Sequence, residues 1–329
     1  MEDDGREPIA FFYLVNRDSR LALGVLPDDV RADGTLYALP APPEDAAGGA
    51  DAARLRWALV DDMLLNEAAE AAGAEIRDAW HAERDVEYKG AVDLVTATDK
   101  KCEDIIFAKL AAAFPSHVLV GEESVAASDG VIPPMTDKPT WYVDPLDGTT
   151  NFVHGWPFSC VSIGLTVGKT PALGVVLNPI LRETFTAIKG EGARLNGDPI
   201  SCSKVSDIGR ALIGTEIGVG RDEATVSAIM GRVRRCVEVS RSVRCSGSCA
   251  MNMVSVAMGR LDAFYEIGFG GPWDCVGAAV IVTEAGGVVL DPSGGEFVCD
   301  ARRVLCGNAS IGPALVDALR GIADGPLEP

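Results

Sequence analysis

The chain has 329 residues, 47% of them apolar, and sets 48 acidic side chains against 29 basic ones for a net charge of −19. That length suits one large domain or two ordinary ones with a substantial core. The acidity excludes a nucleic-acid partner, because phosphate backbones are gripped through clustered lysines and arginines. The longest apolar runs, such as VGAAVIV at 276–282, fall well short of the roughly 20 residues that span a bilayer. The N-terminus, MEDDGREPIA, is acidic where a signal peptide is basic and then apolar. No membrane partner and a cytoplasmic location are therefore expected. Nine cysteines without a CxxC pair read as scattered thiols of a reducing compartment, filling the core. The three histidines, His81, His117 and His154, supply transition-metal chemistry poorly, so any metal should be a hard ion held by oxygen.

In chain order, residues 1–54 read as an extension without catalytic residues. PAPPEDAAGGADAA has no periodicity, while FFYLV at 11–15 is apolar enough to pair as a strand. Val60, Leu64, Ala68, Ala72, Ile76 and Trp80 follow the helical repeat. A second helix is predicted from Thr98 as N-cap to about Pro115, with Cys102, Ile105, Ile106 and Leu110 on one face. Short strands follow: VLVG before Glu122, WYV before Asp144, CVSIGLTV and ALGVVL around a GKT turn, and ETFTAI ending at Gly190. Beyond about 205 helices near 226–239, 248–258 and 273–284 alternate with strands, the last helix stopping on Gly286-Gly287. The domain expectation is an α+β half over 55–204 and an α/β half over 205–325, layered helix on sheet.

Acidic residues recur at element ends: Asp93 and Asp99 around VTAT, Glu122-Glu123 after VLVG, Asp144 and Asp147 in WYVDPLDGTTNF, Glu266 after AFY, and Asp274 after GGPW. Taken singly, Asp99 and Asp274 suit a cap or first turn and Glu122-Glu123 a solvated loop. Asp144 differs, because it follows Trp-Tyr-Val and precedes proline at the carboxyl end of a buried strand, where sheets of this kind place ligands. Carboxylates converging on one spot repel and take up protons unless cations hold them, which argues for magnesium. After Asp147, Gly148 lets backbone approach a ligand, and Thr149-Thr150 open a helix whose free amides suit an anion. Cations beside such a helix start suggest phosphate chemistry with a metal-activated water. The haloacid dehalogenase signature Asp-x-Asp-Gly-Thr is one residue shorter than Asp-Pro-Leu-Asp. On a regular strand, i and i+3 do not share a face, so that alternative is disfavoured.

These residues resemble the inositol monophosphatase family of magnesium-dependent, lithium-sensitive phosphatases. The resemblance covers roughly 55–322 and rests on DLVTATD at 93–99, GEES at 121–124, WYVDPLDGTTNFVHG at 141–155, SGSCAMNM at 246–253, FYEIGFGGPWD at 264–274 and WDCVGAAVIVTEAGG at 273–287. It implies the layered αβαβα sandwich of the inositol monophosphatase and sugar phosphatase type, two or three magnesium ions per site, and a homodimer by analogy. It further implies that Glu122, Asp144 and the Leu146 carbonyl hold one magnesium, and that Asp144 bridges to a second completed by Asp147 and Asp274. Glu122 and Thr149, with Asp99 behind, would activate the attacking water, and the amides of Gly148 and Thr149 would receive the phosphate. Substrate-side contacts would come from Asp147, Ser248, Cys249, Glu266 and Asp274. The implied substrate is a small phosphate ester, myo-inositol 1-phosphate first. L-galactose 1-phosphate is the alternative suggested by plant-type wording, and bisphosphates or 3'-nucleotides by the superfamily. An idle scaffold is the alternative of another class. Two departures stand out: Cys249 replaces a common alanine, and the loop YKGAVD, which carries Lys89, is one residue short. His154 and Trp156 are expected to support the loop after the motif, and Trp273 to anchor packing.

Overall fold

The structure is a computed structural model that describes residues 12–13, 58–59, 62–82, 86–88, 94–128 and 130–329. The chain divides into a unit up to Glu67 and a unit from Ala68 to Pro329. In the first, strand β1 (Phe12–Tyr13) pairs antiparallel with β2 (Ala58–Leu59), so part of the FFYLV run does form a strand. Helix α1 runs Asp62–Ala79, starting two residues after the predicted Val60. Its Ala68, Ala72 and Ile76 are fully buried at the predicted spacing. A hairpin of β3 (Val86–Tyr88) and β4 (Leu94–Thr96) leads into helix α2 (Ala97–Ala113). Asp93 and Lys89 lie outside the described residues.

Helix α2 begins two residues earlier than its sequence suggests. Thr96, not Thr98, is the N-cap: its hydroxyl accepts from Thr98 N at 3.2 Å, and Asp99 three residues on closes a capping box by accepting from Thr96 N at 2.8 Å. Both threonines suit a cap, and the acid at the third helical position decides between them.

Seven strands form the larger sheet, in the order β11 (Asp198–Pro199), β10 (Ala193–Leu195), β9 (Glu183–Ile188), β8 (Thr170–Asn178), β7 (Cys160–Val167), β6 (Thr140–Asp147), β5 (Val118–Gly121). Only β5 and β6 pair parallel; the other neighbours are antiparallel. Between β5 and β6 runs helix α3 (Glu122–Ala127), and α4 (Thr149–His154) follows β6. The second sheet has five strands, ordered β13 (Ser242–Arg244), β12 (Leu212–Thr215), β14 (Ala263–Ile267), β16 (Arg303–Asn308), β15 (Gly287–Leu290). Its first three strands run parallel.

Helices α6 (Cys249–Ala257) and α7 (Pro272–Glu284) pack on each other and on strands of both sheets. Every residue of α6 is buried, and so are the first eleven of α7. A helix apolar on all sides belongs between two layers, and this pair is the middle layer. Helix α2 packs on the far face of the larger sheet, where the Cys102 thiol donates to Ala72 O of α1, and α5 (Glu223–Val239) and α8 (Ile311–Leu319) pack outside the smaller one. The result is the expected αβαβα sandwich. Its tightest seam is glycine on glycine: a Cβ on Gly174 would come within 2.0 Å of Gly277 O, so α7 lies on β8 at backbone distance.

Candidate active site

Strand β6 places the first two acids. Its register against β7 pairs Asp144 with Ser162 and Asp147 with Cys160, so three residues advance on one strand for two on the other. The extra residue is a bulge, which reverses the facing of everything beyond it. Asp144 and Asp147 therefore act on a common region despite their spacing, and Asp147 adds to the negative charge felt by both Asp144 and Asp274. This corrects the expectation from strand parity: the odd spacing does not by itself separate this pair from the dehalogenase geometry. The strand also runs through to Asp147 rather than ending at Val143.

Asp144 is buried, with Oδ1 accepting from Leu146 N at 2.9 Å. Asp147 Oδ2 accepts from Ser248 Oγ at 2.6 Å and Ala250 N at 2.7 Å. Gly148 stands at φ 88°, and a Cβ there would meet Gly247 O at 3.0 Å and Phe158 O at 3.1 Å, so both backbone angle and space require glycine. Helix α4 then starts at Thr149 as predicted. The Thr149 hydroxyl lies 3.0 Å from Asp99 Oδ1 and 3.2 Å from Leu146 O, both acceptors. Its one proton is thus directed away, and its oxygen lone pairs are left to accept a hydrogen.

Glu122 opens α3 rather than a solvated loop, and Glu123 beside it is buried. This turn is held by Glu103 of α2, whose carboxylate accepts from Glu123 N at 2.8 Å, Ser124 N at 2.9 Å and the Ser124 hydroxyl. Glu103 was not among the predicted site residues. Its signal is an acid on the buried stripe Asp99, Glu103, Ile106, Leu110, where a charge needs a partner. Asp274 sits in the first turn of α7 and accepts from Gly271 N at 3.3 Å, while Ser162 Oγ donates to Trp273 O at 2.9 Å and fixes that turn to β7. Trp273 is buried beside Val120 and Tyr142, as a packing anchor should be. Glu266, at the end of β14, is buried with Oε2 lacking a hydrogen-bond partner.

The electrostatics are those of acids without counter-charge. Burial, then Glu122, Asp147 and Asp274, push the Asp144 carboxyl well above its usual range. Burial, then Asp147 and Glu122, do the same to Asp274; burial, then Glu216 and Asp274, to Glu266. Asp147 is raised by burial only to about 6, because Ser248 and Ala250 donate to it. Burial also lifts Asp99 to about 6, against the bonds from Thr96.

Among the described residues no three acidic, histidine or cysteine side chains are gathered to hold one ion as they stand. The spread has a visible cause: Asp147 is turned onto Ser248 and Ala250. The donor set nevertheless fits magnesium. It consists of hard oxygens, it is buried apart from the half-buried Glu122, and the strongest charged neighbours of Asp144, Asp147 and Asp274 are other carboxylates, the condition a divalent cation relieves. A linkage follows. Acids whose folded pKa exceeds the unfolded value near 4 cost stability as pH rises through that interval, which for Asp147 ends about 6. Saturating magnesium should therefore raise the melting temperature more at pH 8 than at pH 5. Equal shifts at the two pH values would show that the ion displaces no protons from these groups.

A model of the inositol monophosphatase family matches residues 60–322. The chain belongs to this family. It is 57% identical over 253 residues to inositol monophosphatase 2 of Solanum lycopersicum, covering 77% of this chain and 95% of the relative. Among solved structures, the extragenic suppressor protein suhB of Bartonella henselae superposes with a TM-score of 0.71 at 31% identity, covering 79% of this chain and 98% of that one. SaIMPase-II, solved with inositol monophosphate bound, gives 0.64 at 27%, with 78% and 91% covered.

Within this inositol monophosphatase fold, Asp99 bonds to Thr149 and Asp147 to Ser248, and one cysteine departs from its expected place. Cys245 is exposed rather than a core filler, its thiol donating to Glu216 Oε2 at 3.1 Å. Trp156 is 59% exposed, and its main chain braces the loop, the N–H donating to Asn151 O at 2.8 Å and the carbonyl accepting from Phe158 N at 2.7 Å. All nine cysteines are free, and among the described residues no helix is long and apolar enough to cross a membrane.

Proposed function

We propose that the chain is a magnesium-dependent phosphomonoesterase acting on a small polyol phosphate, first myo-inositol 1-phosphate, giving myo-inositol and phosphate. The observation that carries it is the Thr149 hydroxyl, bonded at 3.0 Å to Asp99 beside the buried acids Asp144, Asp147 and Asp274. A scaffold has no use for a proton-accepting hydroxyl in that place. The high identity to a tomato inositol monophosphatase supports the same substrate class.

Glu122, Asp144, Asp147, Asp274 and the Leu146 carbonyl would hold two or three magnesium ions. When bound, these neutralise phosphate oxygens and lower the pKa of a water. Thr149, its own proton engaged by Asp99, accepts one hydrogen bond from the water, and Glu122 receives its proton as the oxygen attacks phosphorus. The bond from phosphorus to the polyol oxygen breaks in line, the alcohol leaves with a proton from solvent, and no phosphoenzyme forms. The amides of Gly148 and Thr149 receive the phosphate. Ser248, Cys249 and Glu266 face the polyol, where the unpartnered Glu266 Oε2 is an acceptor for a hydroxyl. We further propose a homodimer, by family analogy, and a cytoplasmic location, consistent with nine free thiols.

The deciding measurement is phosphate release with and without magnesium from inositol 1-phosphate, L-galactose 1-phosphate, fructose 1,6-bisphosphate and 3'-phosphoadenosine phosphates. The highest kcat/KM is expected on inositol 1-phosphate, with lithium inhibiting. Turnover confined to another member of the panel would move the substrate, and none at all would remove the assignment.

A further inference from the structure

The polyol side of the proposed site is carried by Ser246–Cys249, a stretch between β13 and α6 with little regular structure of its own. Besides Asp147, which accepts from the Ser248 hydroxyl, two side chains from different elements hold it. From α4, Asn151 Nδ2 donates to Ser246 O at 2.7 Å and to Phe158 O at 2.7 Å. From just beyond β12, Glu216 Oε1 accepts from Ser246 N and Gly247 N, both at 2.7 Å, and from Asn252 Nδ2 at 2.6 Å. Its second oxygen, Oε2, accepts the Cys245 thiol. Neither residue belongs to a stretch that the sequence marked for chemistry through its own side chain.

We infer that Glu216 is a positioning residue, whose carboxylate fixes Ser246–Cys249 so that Ser248 and Cys249 meet the polyol in one orientation. The inference rests on the function proposed above. A half-buried carboxylate that collects two adjacent main-chain N–H groups, a side-chain amide and a thiol is fully used as an acceptor, not a solvated surface charge. The stretch has little room to compensate. Gly247 stands at φ 83°, where an added Cβ would meet the Asn151 amide at 2.8 Å, and its carbonyl would crowd any Cβ placed on Gly148 of the phosphate turn. Ser248, one residue further, caps α6 and donates to Asp147. Without Glu216 the two amides lose their shared acceptor, and the stretch is held only by Asn151 at Ser246 O and by Asp147 at the Ser248 hydroxyl.

The test pairs steady-state kinetics with thiol labelling. For Glu216→Ala, KM for inositol 1-phosphate should rise about tenfold, as expected for losing charge-assisted hydrogen bonds, with a smaller fall in kcat. Glu216→Gln keeps an acceptor for the two amides and should fall between Ala and wild type; it also decides the matter if the alanine variant does not fold. Independently of turnover, Cys245 should react faster with a disulfide reagent in Glu216→Ala than in wild type, with Cys245→Ser as the blank. The residue is exposed but its sulfur is partly buried, and that partial burial and then Glu216 hold the thiol up to about 12, so release from Glu216 lowers that barrier. Unchanged KM together with unchanged labelling would overturn the inference. So would equal losses in kcat and KM for the Ala and Gln variants alike. Absence of wild-type turnover would instead overturn the proposed substrate, and the labelling would still test the clamp.

Discussion

Asp144→Asn is expected to abolish magnesium-dependent phosphate release, by at least about a thousandfold in kcat/KM, while making the metal-free protein more stable at neutral pH. Both effects come from one property. Asp144 is buried among Glu122, Asp147 and Asp274 and resists ionisation, so its charge costs stability at every pH above its unfolded value near 4. The amide keeps the shape and an oxygen for Leu146 N, but carries no charge for neighbouring carboxylates to oppose. The same charge is what a divalent cation requires, so the variant should also lose most of the magnesium-induced rise in melting temperature. Thermal melts with a chelator and with magnesium, beside the kinetic assay, read all three outcomes. A variant that turns over normally would sink the assignment. One that is inactive and destabilised in chelator would show that Asp144 is structural, not held in reserve for a cation.

The site was legible in sequence where a residue's role follows from its place at an element end. Ser248 before α6 and Asp274 in the first turn of α7 both stand where a helix start dictates, whereas Asp144, read as a strand end after Trp-Tyr-Val, lies inside β6. The layered fold was legible for a similar reason, since VGAAVIV is too uniformly apolar for a surface helix and belongs between sheets. What escaped was set by partners distant in the chain. Glu103 holds the Glu122 turn from 20 residues away, and Glu216 collects donors about 30 residues downstream; neither has a local motif. The bulge after Asp144 escaped because nothing in Asp-Pro-Leu-Asp fixes its register; the partner strand β7 does. The cap read at Thr98 belongs to Thr96, because Asp99 bonds back to Thr96 N.

Arg232→Ala should produce the largest loss of stability away from the site, about 3 kcal/mol, the low end of the range for breaking a buried pair. Arg232 lies on α5 with its side chain 4% exposed, and it grips the segment after α8 by pairing with Glu328, also 4% exposed, and with Asp324 at 3.3 Å. Alanine leaves the Glu328 carboxylate buried with the Gly325 N–H, at 2.6 Å, as its remaining donor. Such a charge is costly, and the segment relieves it by moving into water, which caps the loss. That movement would also release Leu327 N from Thr225 Oγ1 and Pro329 O from Arg303, exposing residues 323–329 to a protease. The cost therefore belongs to an orphaned charge rather than to a missing contact, and a double-mutant cycle separates the two. Adding Glu328→Gln to Arg232→Ala should recover part of the loss, with a coupling well above the additivity error of about 0.5 kcal/mol. Additive losses in chemical denaturation would mean that the pair contributes nothing beyond the packing of its two side chains.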